Sequence, residues 1–146
     1  MTSLPNAGDV SAVAIVVDAS ALAFCLLGTS QPHRSLRRRL AAETCHAPHL
    51  VDAEMGNVLR RRVLRGELPA AQAQVLLFAA APLIDHRYEM TGRLGQAAWT
   101  LRENVSFYDA LYVALAAALS VPLLTGDARL SRAPALPCAV ELIEAG

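Results

Sequence analysis

The sequence contains no lysine, so all 13 of its basic residues are arginines. An acidic side chain that folding buries therefore has no ammonium group available to neutralise it. The chain also lacks the GxxxxGK motif, which argues against a P-loop nucleotide hydrolase. Its 13 acidic residues balance the arginines, and the resulting net charge of zero favours no particular binding partner.

Cysteine is scarce as well, with only Cys25, Cys45 and Cys138 in the chain. Their odd number, wide spacing and apolar surroundings indicate neither a disulfide framework nor a thiolate zinc site. We expect them to be small buried hydrophobic residues in a reducing cytoplasm. Aromatic residues make up only 5% of the sequence, too few to form stacking platforms for single-stranded bases. We expect Trp99 and Tyr112, like Tyr108, to lie in the core or in an interface.

No stretch of the chain is typical of a membrane protein or of a secretory signal. The uncharged run at residues 110–126 is slightly too short to span a bilayer and contains Pro122. A buried helix followed by a buried strand explains it better. No positive charge precedes the first apolar run, as a signal peptide would require. The sequence therefore predicts a cytoplasmic protein with no membrane contact.

With 146 residues, 54% of them hydrophobic, the chain can form one domain with a substantial core. We predict a flexible tail at residues 1–12 and a single domain at residues 13–146. Short β-branched runs alternate with helical patterns, which is typical of an α/β fold with a mainly parallel sheet. The predicted strands are residues 13–18, 44–47, 83–84, 121–125 and 139–143. The predicted helices are residues 19–27, 32–42, 48–65, 69–81, 88–101 and 106–120, with a short helix at Ala128.

Four acidic residues lie where a parallel sheet of this kind binds its ligands. Asp18 ends the first predicted strand, and Asp127 follows the fourth. Glu54 and Asp109 lie in the first two turns of their predicted helices. Strand ends and early helical turns of neighbouring βα units meet at one rim of the sheet, so we expect these four acids to converge.

Each of these acids also has a purely structural interpretation. Asp18 and Asp127 could each cap the helix that follows, Ser106 and Asp109 match a capping box, and Glu54 could be a solvated helix position. However, Asp18 and Asp109 lie in largely apolar segments, where an unpaired carboxylate is costly. A shared cation would relieve the repulsion, and oxygen ligands favour Mg²⁺ or Mn²⁺ over zinc. At such a site we expect hydrolysis of a phosphodiester bond.

At these positions the sequence resembles the PIN domain family, and within it the VapC-type toxins of bacterial toxin–antitoxin systems. The matching segments are residues 16–21 (VVDASA), 54–59 (EMGNVL), 108–116 (YDALYVALA) and 124–130 (LTGDARL). Any one segment is weak, but four in this order form a fairly specific pattern.

The resemblance implies a three-layer α/β/α fold whose central, mainly parallel sheet has four to five strands. It also implies an endoribonuclease that needs Mg²⁺ or Mn²⁺, acts on RNA, forms a homodimer and is neutralised by a VapB-like antitoxin. Carried over to this sequence, the catalytic metal site is Asp18, Glu54, Asp109 and Asp127. The polar neighbours that orient these carboxylates are Ser20, Asn57 and Thr125.

Other classes of protein share parts of this pattern. Aspartyl phosphatases and response regulators also place an aspartate at the end of the first strand. However, Ser20 stands where the phosphatases need a second acid, and the lysine of the regulators is missing. The alternative that stays open is a binding module that has lost catalysis and acts through RNA or a protein partner.

Two predicted helices carry clusters of arginine near their C-terminal ends. Such side chains complement the helix dipole, so a solvated face is one interpretation. The other is that one cluster guides an RNA backbone through phosphate contacts. The clusters are Arg34, Arg37, Arg38 and Arg39 in one helix and Arg60, Arg61, Arg62 and Arg65 in the other.

Overall fold

The computed structural model describes residues 13–143, which contain one five-stranded sheet. Its strands are β1 (Ala14–Val17), β2 (Thr44–Pro48), β3 (His86–Tyr88), β4 (Leu123–Thr125) and β5 (Val140–Leu142). They are ordered β3-β2-β1-β4-β5, and every neighbouring pair is parallel. The predicted α/β class and parallel sheet are confirmed. The tail predicted at residues 1–12 lies outside the described residues, as do residues 144–146.

Helices connect the strands and make the domain a three-layer α/β/α sandwich. Helix α1 packs on α2 and α3, and α3 on α4, whereas α5 packs on α6. No helix in residues 13–143 has both the length and the apolar character needed to cross a membrane. The helices are α1 (Ala19–Leu27), α2 (Gln31–Ala42), α3 (Leu50–Leu64), α4 (Ala70–Ala80), α5 (Arg93–Trp99), α6 (Phe107–Leu119) and α7 (Ala128–Ser131).

Strand β1 lies at the centre of the sheet and is buried throughout. Ile15, Val16 and Val17 are each 0% exposed, because β2 and β4 flank them in the sheet and α6 packs against the strand. Helix α6 is itself buried from residue 110 to residue 116, as the uncharged run predicted. The ends of β1 and β4 are therefore held at fixed positions in the middle of the molecule.

The strand predicted at residues 83–84 is wrong. Ala81–Leu83 form a 3-10 turn, and β3 begins three residues beyond it, at His86. The apolar pair of Leu83 and Ile84 suggested a strand, but Ile84 is buried outside the sheet. Strand β3 is a polar edge strand, and a hydrophobic pattern does not detect such a strand.

The helix predicted at residues 88–101 is much shorter in the structure. Tyr88 ends β3, and α5 begins only at Arg93. Gly92 has a φ of 70°, a left-handed conformation that interrupts a right-handed helix. Helix α3 likewise begins at Leu50 rather than at Pro48, which belongs to β2.

Candidate active site

Asp18 is held in place by hydrogen bonds from both of its neighbouring elements. It follows β1 directly and is only 7% exposed. Its Oδ1 accepts hydrogen bonds from the Ser20 hydroxyl (2.6 Å) and the Ala21 backbone N–H (2.9 Å). Its Oδ2 accepts one from the hydroxyl of Thr125, at the end of β4. The side chain therefore caps α1, as its structural interpretation predicted, and is also tied to the adjacent strand.

Ser20 and Thr125 also position the loop that carries Asp127. Their hydroxyl oxygens lie 3.3 Å apart. The Ser20 oxygen accepts a hydrogen bond from the Gly126 N–H (2.8 Å), and that of Thr125 accepts one from the Asp127 N–H (3.0 Å). The Asp127 carboxylate in turn caps α7 by accepting the N–H of Arg129 at 2.9 Å. This network links Asp18 and Asp127 through two hydroxyl groups.

Glu54 and Asp109 come from α3 and α6. Oε1 of Glu54 accepts a 2.5 Å hydrogen bond from the hydroxyl of Tyr112, whose side chain is buried in α6. Asp109 lies in the first turn of α6, where its N–H donates to the Ser106 hydroxyl (3.2 Å) that caps the helix. Asn57 lies one turn beyond Glu54, but within residues 13–143 it makes no hydrogen bond to any of the four carboxylates.

All four predicted acids line a single cleft of about 270 Å³. Asn57, Ser20 and Tyr112 line it as well, together with Arg61 and Arg129. The donor set fits a hard cation, because it offers carboxylate and hydroxyl oxygens and no histidine or cysteine. Within residues 13–143, however, no three His, Cys, Asp or Glu side chains are already arranged to hold a metal ion. A cation would have to draw the carboxylates together from their present positions.

Burial and mutual repulsion raise the pKa of three of these carboxyl groups. Loss of solvent is the largest cause for Asp18, Glu54 and Asp109. The charge of Asp109 further raises the pKa of Asp18 and of Glu54, and the charge of Asp127 raises that of Asp109. Hydrogen bonds from Ser20, Thr125 and Tyr112 act in the opposite direction but do not overcome burial. The charges of Arg61 and Arg129 lower the pKa of Glu54 and of Asp109, respectively, but do not overcome burial, so a bound cation would further stabilise the charged cluster.

Three polar or charged residues that the sequence motifs did not assign to the site also line the cleft, namely Arg61, Tyr112 and Arg129. Tyr112 is three residues after Asp109, and Arg61 is seven after Glu54, so helical periodicity places each on the same face as its acidic partner. That spacing was a usable signal. The sequence signal for Arg129 was weaker, because the position of this residue depends on the turn that follows Asp127.

The fold and the cleft together define an α/β/α domain of the PIN class, with acidic residues at the ends of its central strands. The family model described as the PIN domain matches residues 15–136. The chain belongs to the PIN domain family.

The relatives are VapC-type proteins, as the four motifs predicted. The chain is 52% identical to Ribonuclease VapC1 of Mycobacterium tuberculosis over 128 residues, which are 88% of this chain and 96% of that protein. Among solved structures it is similar to PAE2754 from Pyrobaculum aerophilum, with a TM-score of 0.69, 22% identity and coverage of 95% and 92% of the two chains. It is also similar to VapBC2 from Rickettsia felis bound to a promoter DNA fragment, with a TM-score of 0.67, 14% identity and coverage of 89% and 98%.

Proposed function

We propose that this protein is an endoribonuclease that depends on Mg²⁺ or Mn²⁺ and acts as the toxin of a toxin–antitoxin pair. The main support is the convergence of Asp18, Glu54, Asp109 and Asp127 on one cleft, from four separate segments of the chain. The 52% identity to Ribonuclease VapC1 supports RNA as the substrate.

The four carboxylates would hold the cation, which would supply Lewis-acid chemistry for hydrolysis of a phosphodiester bond. The chain's own residues prepare the site for it. Ser20 and Thr125 fix both oxygens of Asp18, and Tyr112 fixes one oxygen of Glu54. Arg61 lines the same cleft and offers N–H groups to an anionic substrate.

The test is an RNA cleavage assay with Mn²⁺, with EDTA, and with an Asp18→Asn variant in Mn²⁺. Asparagine keeps the helix cap but removes the charge, so the variant should fold and fail to cleave. A matched control is Asp52→Asn, because Asp52 is an exposed carboxylate on α3 that pairs with Arg87 (2.7 Å) and does not line the cleft. We expect cleavage only by the parent and the control, and only with metal.

Activity in EDTA, or in the Asp18→Asn variant, would contradict the metal-dependent mechanism. RNA binding without cleavage under every condition would instead support the alternative, a binding module that has lost catalysis.

We also propose that the protein forms a homodimer and binds a VapB-like antitoxin in the cytoplasm. Three large apolar side chains on α3 and α4 support a partner, because Leu64, Val75 and Phe78 are 66%, 65% and 69% exposed. The similarity to a chain of the VapBC2 structure from Rickettsia felis supports a VapB-like antitoxin as one such partner. Light scattering that shows a stable monomer at micromolar concentration would contradict the homodimer. A neighbouring gene for a short DNA-binding protein would support the antitoxin.

A further inference from the structure

A second and larger groove adjoins the acidic cleft. Its volume is about 670 Å³, and it lies between residues 102–106, which precede α6, and residues 129–134, which include the end of α7. Asp109 and Arg129 line both the groove and the acidic cleft, so the two spaces adjoin at these side chains. A polymer whose scissile bond lies in the cleft would therefore extend into this groove.

Arginine dominates the charge of the groove. Arg102, Arg129 and Arg132 line it, and apart from the shared Asp109 the only acidic residue in its lining is Glu103. In the part of the chain that the structure describes, the Arg132 guanidinium has no hydrogen-bond or ion-pair partner. That of Arg102 donates to the Trp99 carbonyl (3.0 Å) and lies over the indole ring at 5.2 Å, but it pairs with no carboxylate among residues 13–143. The guanidinium groups of Arg102 and Arg132 are thus available to an external anion, whereas that of Arg129 pairs with Asp127 at 3.4 Å.

Four of the eight arginines in the two clusters noted in the sequence are less available. Arg37 donates to two backbone carbonyls near the end of α1, and Arg39 pairs with two glutamates. Arg62 and Arg65 both pair with Glu67. These side chains are mainly used to hold the fold together, so a cluster in the sequence is a poor guide to where an anion binds.

We infer that this groove holds the RNA backbone next to the scissile phosphate, with Arg102 and Arg132 binding phosphates and Arg129 lying at the junction with the acidic cleft. The inference rests on the proposed function, because it takes RNA as the substrate. Guanidinium groups bind phosphate oxygens in a bidentate manner and without regard to base sequence. The groove therefore contributes to the affinity for RNA and to the position of the RNA backbone, but not to a preference for particular bases.

The experiment measures the binding of a fluorescein-labelled single-stranded RNA of mixed sequence at several salt concentrations. The parent is the Asp18→Asn protein, which does not cut the probe, and the test protein adds Arg102→Ala and Arg132→Ala. We expect at least ~10-fold weaker binding. The slope of log affinity against log salt should become shallower by about 1.4, because two phosphate contacts are lost. Replacing both arginines with lysine should restore most of that slope.

The matched control is Arg38→Ala with Arg60→Ala, which removes the same charge from two exposed arginines outside both spaces. It should bind RNA as the parent does. Unchanged affinity and slope in the Arg102→Ala, Arg132→Ala protein would overturn the inference. A poly-glutamate peptide serves as a second probe. The inference would also be overturned if the Arg102→Ala, Arg132→Ala protein bound this peptide more weakly but bound RNA as the parent does, because the groove would then be a site for acidic protein segments.

Cleavage by the unsubstituted protein with Mn²⁺, measured in parallel, separates this inference from the proposed function. If the groove variants lose RNA binding but no cleavage occurs, the proposed enzymatic function fails and the groove assignment stands. If the unsubstituted protein cleaves RNA but the groove variants bind RNA as the control does, only the groove assignment fails.

Discussion

At the scale of single residues, the hydrogen bond from Tyr112 to Glu54 shows how a buried side chain tunes an acidic one. The hydroxyl donates at 2.5 Å and lowers the pKa of Glu54 against the larger effect of burial. Without that hydroxyl, Glu54 should take up a proton at higher pH and lose its fixed orientation. Tyr112→Phe should therefore reduce RNA cleavage at neutral pH by about 10- to 100-fold. The acidic limb of the pH–rate profile should also move to higher pH, which steady-state assays across a pH series would measure.

Tyr88→Phe is the matched control for Tyr112→Phe. Tyr88 is equally buried, but its hydroxyl contacts His46 and it does not line the cleft. Its removal should leave the acidic limb where it is. An identical shift in both variants would mean that the effect reflects general loosening of the core rather than the contact with Glu54.

His46 makes a prediction about stability and pH. It is 3% exposed on β2, its Nδ1 lies 2.7 Å from the Tyr88 hydroxyl, and its ring stacks on His86. Burial, followed by the charge of His86, lowers the pKa of His46 from 6.5 to about 4, while Asp85 acts in the opposite direction. The unfolded chain therefore binds this proton at a higher pH than the folded chain does, so acid favours unfolding.

We expect His46 to reduce the free energy of unfolding as the pH falls from about 6.5 to about 4, by about 3 kcal/mol at most. Urea denaturation at a series of pH values measures this, and the difference between the parent and His46→Asn isolates it from the titration of the carboxyl groups. His33→Gln, on α2, is the control and should retain the parent's pH dependence. Identical pH dependence in the parent and in His46→Asn would refute the assignment.

At the scale of elements, two glycines within helices should respond to substitution in opposite ways. Gly56 lies in α3, and a Cβ added there would meet nothing within 4 Å. Gly95 lies in α5, where an added Cβ would be 2.4 Å from the backbone oxygen of Met90. Gly56→Ala should stabilise the protein by about 1 kcal/mol through helix propensity. Gly95→Ala should destabilise it by about 2 kcal/mol, because the loop before α5 must move.

Thermal or urea unfolding of the two alanine variants gives the comparison directly, and each is the control for the other. Stabilisation by Gly95→Ala would show that Met90 and the loop around it adjust without cost.

The same element scale shows why prediction from the sequence succeeded in one region and failed in another. Strand β1 and helix α6 are buried, so their apolar patterns identified them correctly. Strand β3 begins with the exposed His86, followed by the polar Arg87. Helix α5 begins just after Gly92, which adopts a left-handed conformation. The pairing of an edge strand and the positive φ of a glycine both depend on the assembled fold. Neither produces a periodic pattern of hydrophobic residues in the sequence.

At the scale of the whole molecule, the proposed cation should act as a stabilising ligand. Without it, the carboxylates of the cleft lose solvent and repel one another, as the raised pKa values of Asp18, Glu54 and Asp109 reflect. Mg²⁺ at about 100 times its Kd should add about 2.7 kcal/mol to the free energy of unfolding. The resulting rise in Tm should be several degrees by scanning calorimetry.

The control for this prediction is Asp109→Asn, which lacks one of the proposed ligands and should show a much smaller rise. Sodium chloride at equal ionic strength tests for general screening. An equal rise in Asp109→Asn, or with sodium alone, would argue against a specific cation in the cleft.

The convergence of the four acids was predictable because parallel topology brings strand ends to one rim. The sequence also indicated that Ser20 and Thr125 accompany them, through the resemblance to known motifs. It could not indicate that the two hydroxyls join Asp18 to the Asp127 loop, nor that a second groove opens beyond Asp109. Such features depend on distances between segments remote in sequence, which only the assembled molecule defines.

The hydrogen bond between Asp18 and Thr125 joins residues 107 positions apart, on strands that lie side by side. During synthesis, β1 leaves the ribosome long before β4 does, and Asp18 then has neither Thr125 nor Asp127 beside it. The cleft can close only when nearly the whole polypeptide has been translated. For the proposed ribonuclease, this order of events means that the complete acidic cleft cannot form on a partly synthesised chain.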